Sequence, residues 1–222
     1  MPFLLRQDRR SGTASGDPRK PQSGRVGNIA HVPSALRIVA LGDSLTSGHG
    51  IGAARAFPAH LQRRLDAGGY AYEVINAGVS GDTSAGAYRR LTAVLDSDVR
   101  ILIVMLGAND GLRGVPVAQL KDNLRGIIRE AERRRIAVLL CGMEAPPIHG
   151  WDYTRAFHVA YEELAAECRV PLVPFVLMNV IGRADRMQRD YMHPNEEGAR
   201  VMAENLWPYL QPMLRRYAPA AL

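Results

Sequence analysis

From Leu36 onward, short apolar runs alternate with longer stretches of helical period, and this alternation constrains the chain more than any other feature. Leu36–Gly42, Tyr72–Asn76, Arg100–Leu106, Ile136–Cys141 and Val170–Pro174 read as five strands. Helices are expected over Ser84–Leu95, Pro116–Arg134, Asp152–Cys168 and Asn195–Arg215. In the second of these Pro116 suits a first-turn position, and Leu120, Leu124, Ile127 and Ile128 form one apolar face. Strands that are apolar along most of their length, separated by helices, belong to a parallel sheet covered on both faces. The expected architecture is α/β, a three-layer αβα sandwich around a five-stranded parallel sheet. Such sheets place their sites at the carboxyl ends of the strands.

Residues 1–35 do not share the alternation. They are rich in Gly, Ser, Pro and Arg and read as a disordered basic tail ahead of a domain spanning 36–218. The tail carries +4 of the net charge of +6, so the domain itself is close to neutral. The basic balance is therefore poor support for a nucleic-acid partner, and none is expected. No run approaches the roughly 18 apolar residues of a membrane span, so stable membrane insertion is not expected. The first residues lack the apolar stretch of about 7–15 residues found in export signals, which points to the cytoplasm unless the true start differs. Two cysteines, Cys141 and Cys168, make no disulfide framework and read as buried small hydrophobes.

Three segments with chemical content follow directly on strands. Gly42-Asp43-Ser44-Leu45 places a serine at the sheet's carboxyl edge, where a base could activate it. Asn76-Ala-Gly78-Val-Ser80-Gly81-Asp82-Thr83 offers glycines whose backbone N–H groups could face a developing oxyanion. Gly107-Ala-Asn109-Asp110-Gly111 adds an amide donor. A fourth segment, Asp190-Tyr-Met-His193-Pro194, precedes the last helix; its spacing lets a carboxylate hold one imidazole nitrogen and leave the other free for a serine. Each segment alone is also an ordinary turn or helix cap. Together they supply a nucleophile, two sources of oxyanion donors, an acid and a base.

These four segments resemble the conserved blocks of the SGNH (GDSL-type) hydrolase superfamily. The stretches Asn76–Ser84 and Gly107–Gly114 are similar to a narrower group, the bacterial arylesterase, acyl-CoA thioesterase I and lysophospholipase L1 enzymes. The resemblance covers about Arg37 to Arg215. It implies a flavodoxin-like sheet, no metal and no cofactor. It implies Ser44 as nucleophile, His193 as base and Asp190 as its orienting acid. The oxyanion hole would be the backbone N–H groups of Ser44 and Gly81 with the Asn109 side chain, and Asp43 would brace the nucleophile turn. An acyl pocket is expected around Leu112, Ala145 and Pro146. The substrate implied is a small acyl or aryl ester or thioester; a lysophospholipid or an acetylated sugar remains an alternative. Glu144 and Ile148-His149-Gly150 depart from the group's usual pattern near that pocket. His49, His60, His149 and His158 read as incidental.

Two other function classes fit less well. The glycine-rich Gly48-His-Gly50-Ile-Gly52 lacks the Gly-Lys-Ser/Thr of a phosphate loop, and strand two ends without an acid to hold a ribose. A non-catalytic binding module would not be expected to keep Ser44, Asn109 and His193 together.

Overall fold

A computed structural model describes residues 36–217; the expected disordered tail lies outside them. The order of elements is β1 (Leu36–Gly42), α1 (Ser44–Ser47), α2 (Phe57–Ala67), β2 (Tyr72–Gly78), α3 (Ser84–Val94), β3 (Val99–Met105), α4 (Ala108–Arg113), α5 (Val117–Arg133), β4 (Ala137–Cys141), α6 (Trp151–Cys168), β5 (Leu172–Val173) and α7 (Glu196–Arg216). The five strands are parallel in the order β2-β1-β3-β4-β5. Helices α2 and α7 pack together, α3, α5 and α6 form a second group, and the sheet lies between them. The three-layer architecture is the one the alternation predicts, and the strand order is the flavodoxin-like one that the resemblance implies.

The core follows from the apolar runs. Ile38, Val39, Ala40 and Leu41 of β1 and Ile101 to Met105 of β3 are buried because strands at the centre of a covered sheet have no solvent face. The chain reverses its winding direction between β1 and β3, and at such a switch point the loops after the two strands diverge and leave a crevice. Ser44 follows β1 and Asn109 follows β3.

Several boundaries differ from the expectation. Strand β2 runs two residues further, to Gly78, because Ala77 and Gly78 still pair with Leu41 and Gly42. Glycine is needed there: a Cβ on Gly78 would lie 2.3 Å from the backbone nitrogen of Ser47, on the Ser44 turn. Strand β5 shrinks to two residues, flanked by Pro171 and Pro174, which cannot donate to a ladder. Pro116 is the residue before helix α5, not its first. Helices α2 and α4 were not expected. Cys141 is buried and Cys168 only half-buried, and both are free.

Candidate active site

Asp43 is the N-cap of α1: its Oδ1 accepts the Leu45 N–H at 3.0 Å. The capping reading of this segment therefore holds, and the cap fixes the turn that carries Ser44. Asn76 braces the same turn from β2, donating from Nδ2 to the Thr46 carbonyl at 2.8 Å. Asp43 is fully buried, and burial raises its pKa to about 6 against the lowering effect of its hydrogen bonds.

His193 Nε2 lies 3.1 Å from Ser44 Oγ, and its Nδ1 lies 2.7 Å from Asp190 Oδ2. A carboxylate accepts and does not donate, so Nδ1 carries the proton and Nε2 is left to accept from the serine hydroxyl. Asp190 Oδ1 accepts the backbone N–H groups of Met192 and His193, each at 3.0 Å. The bond to the imidazole, followed by these two, holds the Asp190 carboxyl below the usual carboxylate range. Tyr191 takes the left-handed conformation, φ 53°, which curls this short segment around the carboxylate.

The backbone N–H groups of Ser44 and Gly81 have no acceptor among the described residues. Gly81 has φ 80°, open to glycine without strain. Its carbonyl is held by Arg113 Nη2 at 2.9 Å. Asn109 Nδ2 donates to Asp43 Oδ2 at 3.2 Å and to the Asp82 carbonyl at 2.9 Å. Asp110, the next residue, is buried and accepts from Ser84 N at 2.8 Å and Ser84 Oγ at 2.6 Å, which ties the Gly81 loop to α4.

These groups open into a cleft of about 550 Å³. Leu112, Ala145 and Pro146 line it, as do Phe175, Leu177 and Ile181, which had no signal in the sequence. Leu112, Ile181, Tyr191 and Met192 are exposed at its rim. Glu144 also lines the cleft, with its Oε1 2.5 Å from His158 Nδ1. His49, which reads as incidental in the sequence, lines the cleft, and its ring centroid is 4.5 Å from that of His193. His149 is exposed, with Nε2 3.1 Å from the Leu112 carbonyl. A larger hollow of about 690 Å³ opens near Ala137, Pro171 and Pro212 and contains none of the groups described above. Among the described residues no group of three or more His, Cys, Asp or Glu is placed to hold a metal, and no helix is long and apolar enough to cross a membrane.

Residues 40–201 match the GDSL-like Lipase/Acylhydrolase family. The chain is 41% identical over 182 residues to Esterase TesA of Pseudomonas aeruginosa, covering 82% of this chain and 90% of that protein. It is 36% identical over 182 residues to Thioesterase 1/protease 1/lysophospholipase L1 of Escherichia coli K12, covering 82% and 86%. The crystal structure of the psychrotrophic esterase EstA from Pseudoalteromonas sp., inhibited by monoethylphosphonate, superposes with a TM-score of 0.76 at 30% identity, covering 81% of this chain and 98% of that one. A family match across the switch-point crevice and relatives aligned over most of their length lead to one conclusion: the chain belongs to the GDSL-like lipase/acylhydrolase family and is a hydrolase of its ester- and thioester-cleaving kind.

Proposed function

We propose that the protein hydrolyses small acyl or aryl esters and thioesters through an acyl-enzyme on Ser44, with His193 as base and Asp190 as its orienting carboxylate. The observation that carries this reading is the Asp190–His193–Ser44 relay, 2.7 and 3.1 Å long, in a largely apolar cleft that Gly81 and Asn109 also line.

Ser44 Oγ attacks the acyl carbon while its proton passes to His193 Nε2, and the carbonyl electron pair moves onto oxygen. The Ser44 and Gly81 N–H groups donate to that oxyanion, and fixed donors of this kind stabilise charge without having to reorganise. Asn109 contributes by sharing with the oxygen the hydrogen it gives to Asp43 over the longer of its two bonds. The tetrahedral intermediate collapses, and the alkoxide, phenolate or thiolate leaves with the proton from Nε2. Water enters, loses a proton to Nε2 and attacks the acyl-enzyme. A second collapse releases the acid and returns the proton to Ser44. Asp190 stays ionised throughout and favours the imidazolium.

The apolar lining from Leu112, Ala145, Pro146 and Ile181 suits an acyl or aryl group. The names of the relatives, an esterase and a thioesterase/lysophospholipase, are in keeping with it, and inhibition of the Pseudoalteromonas esterase by a phosphonate fits attack by a nucleophile on a tetrahedral centre.

The test is hydrolysis of p-nitrophenyl esters with acyl chains of about two to twelve carbons, wild type beside Ser44→Ala. Turnover by the variant is expected to fall on the order of 10⁴ to 10⁶. A variant that keeps most of its activity removes Ser44 as nucleophile. Preference for the longest chains points to lysophospholipid, and acceptance of acetyl alone points to acetylated sugars.

A further inference from the structure

The nucleophile and the base are 149 residues apart in the chain, and they sit on supports of different kinds. Ser44 caps a buried strand. His193 lies in the segment between β5 and α7, whose one ladder contact is an isolated bridge, Met187 to Pro194. Something must hold this segment in register with the Ser44 turn, because reactivity falls steeply once the proton acceptor drifts from the hydroxyl.

The Gln188 side chain spans the gap. Its Nε2 donates to the His49 carbonyl at 2.7 Å and to the Pro194 carbonyl at 2.9 Å, while its backbone N–H donates to the His193 carbonyl at 2.8 Å. The two amide hydrogens thus join the loop of the nucleophile to the loop of the base. His49 completes the link. Its N–H donates to the Ser44 carbonyl at 3.2 Å, and its ring rests on the His193 ring at 4.5 Å with a tilt of 42°. The glycines on either side, Gly48 and Gly50, have φ 80° and 75°, and a Cβ on Gly50 would lie 2.1 Å from Gln188 Oε1. Glycine there lets Gln188 reach the His49 carbonyl.

We propose that Gln188 and His49 form a clamp that sets His193 Nε2 against Ser44 Oγ. The proposal rests on the reading of Ser44 and His193 as nucleophile and base. Both clamp residues act through His193, Gln188 by tying the backbone just after it to the His49 carbonyl and His49 by limiting where its ring can swing. They are positioning residues.

The test is steady-state hydrolysis of one p-nitrophenyl ester by Gln188→Ala, Gln188→Glu, His49→Ala, His49→Phe and the double variant Gln188→Ala/His49→Ala. Gln188→Ala and His49→Ala should each lower kcat by about 10- to 100-fold with KM within about threefold, as expected when a reacting pair loses alignment. Gln188→Glu keeps the shape but has no hydrogens for the two carbonyls, so it should be as slow as Gln188→Ala. His49→Phe keeps a ring against His193 and should recover most of kcat. The double variant should be much less impaired than the product of the two single losses, since one linkage is being broken twice. Melting temperatures should stay near wild type, because His49 is exposed and Gln188 only half-buried, away from the core. Single variants with kcat within twofold of wild type, a Phe variant as slow as the Ala variant, or kcat losses that track lost stability would overturn the clamp. Ser44→Ala separates the two failures. If it is inactive while the clamp variants run at full rate, the clamp alone is wrong. If it remains active, the nucleophile assignment fails and the clamp fails with it.

Discussion

The two halves of this site are built in opposite ways. The half that carries Ser44, Gly81 and Asn109 grows from strand ends, and the four fully buried polar residues of the described chain (Asp43, Thr46, Ser84 and Asp110) all lie in it. The half that carries Asp190 and His193 is a loop whose neighbouring side chains, Tyr191 and Met192, are 74% and 56% exposed. The same residue type behaves differently in each. Burial pushes Asp43 up to about 6, whereas hydrogen bonds from His193 and two backbone amides hold Asp190 down. A carboxylate beside solvent stays charged readily and suits the role proposed for Asp190. A carboxylate in the core is costly to ionise and serves the architecture. The comparison predicts that damage to the loop half costs rate alone, and that damage to the strand-end half costs rate and stability together.

The largest effect should come from Asp190→Asn. The amide oxygen can still accept from Met192 and His193, so the loop keeps its shape. The amide nitrogen, however, donates where the carboxylate accepted. It therefore favours the tautomer with the proton on Nε2, which cannot take the proton of Ser44. Turnover should fall on the order of 10⁴, with the melting temperature near wild type by calorimetry. A variant that retains a tenth of the activity, or that melts far below wild type, breaks the comparison at its loop end.

Asn109→Ala comes next. It removes a donor from the cleft and also strips the Asp82 carbonyl and the buried Asp43 Oδ2 of a partner. Loss of one oxyanion donor costs roughly 10² to 10³ in kcat. Leaving a buried acceptor unpaired costs about 1–3 kcal/mol. Both should appear in the same variant, in kinetics and in denaturant unfolding. A loss of rate with no loss of stability would mean that Asn109 serves the oxyanion alone and that Asp43 finds another donor.

The two halves also differed in how much of them the sequence showed. The strand-end segments are legible because each is local: a run of apolar residues, then glycine and a polar group, in a topology that brings strand ends to one edge. Asp190 and His193 are legible for the same reason, three residues apart on one turn. What joins the halves is not local. Gln188 meets the His49 carbonyl across 139 residues, and nothing in the residues around either one marks the contact. His49 also lacks an acidic neighbour, which is why it reads as incidental until the rings are seen together. Helix α4 is a different case. Asn109-Asp110-Gly111 has turn chemistry and poor helix propensity, yet it is helical because Asp110 is pinned to Ser84 from another element. Helix α2 was readable, since Phe57, Leu61 and Leu65 recur every four residues and all are buried.

The smallest predicted effect is the one that isolates Asp43. An ordinary aspartate titrates near 3.9, and Asp43 in the folded protein titrates at about 6. Between these values the native state binds a proton that the unfolded chain has released. Stability from this group is therefore complete below about pH 4 and is lost as pH rises through about 6. The difference amounts to roughly 2–3 kcal/mol. Asp190 has the opposite sign: its contribution is present above the ordinary carboxylate range and is lost only in strong acid. Asp43→Asn does not titrate. Its melting temperature relative to wild type should therefore climb between about pH 4 and 7 and level off above. It should also be slow at every pH, because an amide nitrogen facing Asn109 Nδ2 sets donor against donor. A relative melting temperature that is flat from about pH 4 to 8 would mean that Asp43 ionises as easily in the core as in water. The strand-end half would then bear no electrostatic strain, and the contrast with Asp190 would reduce to exposure alone.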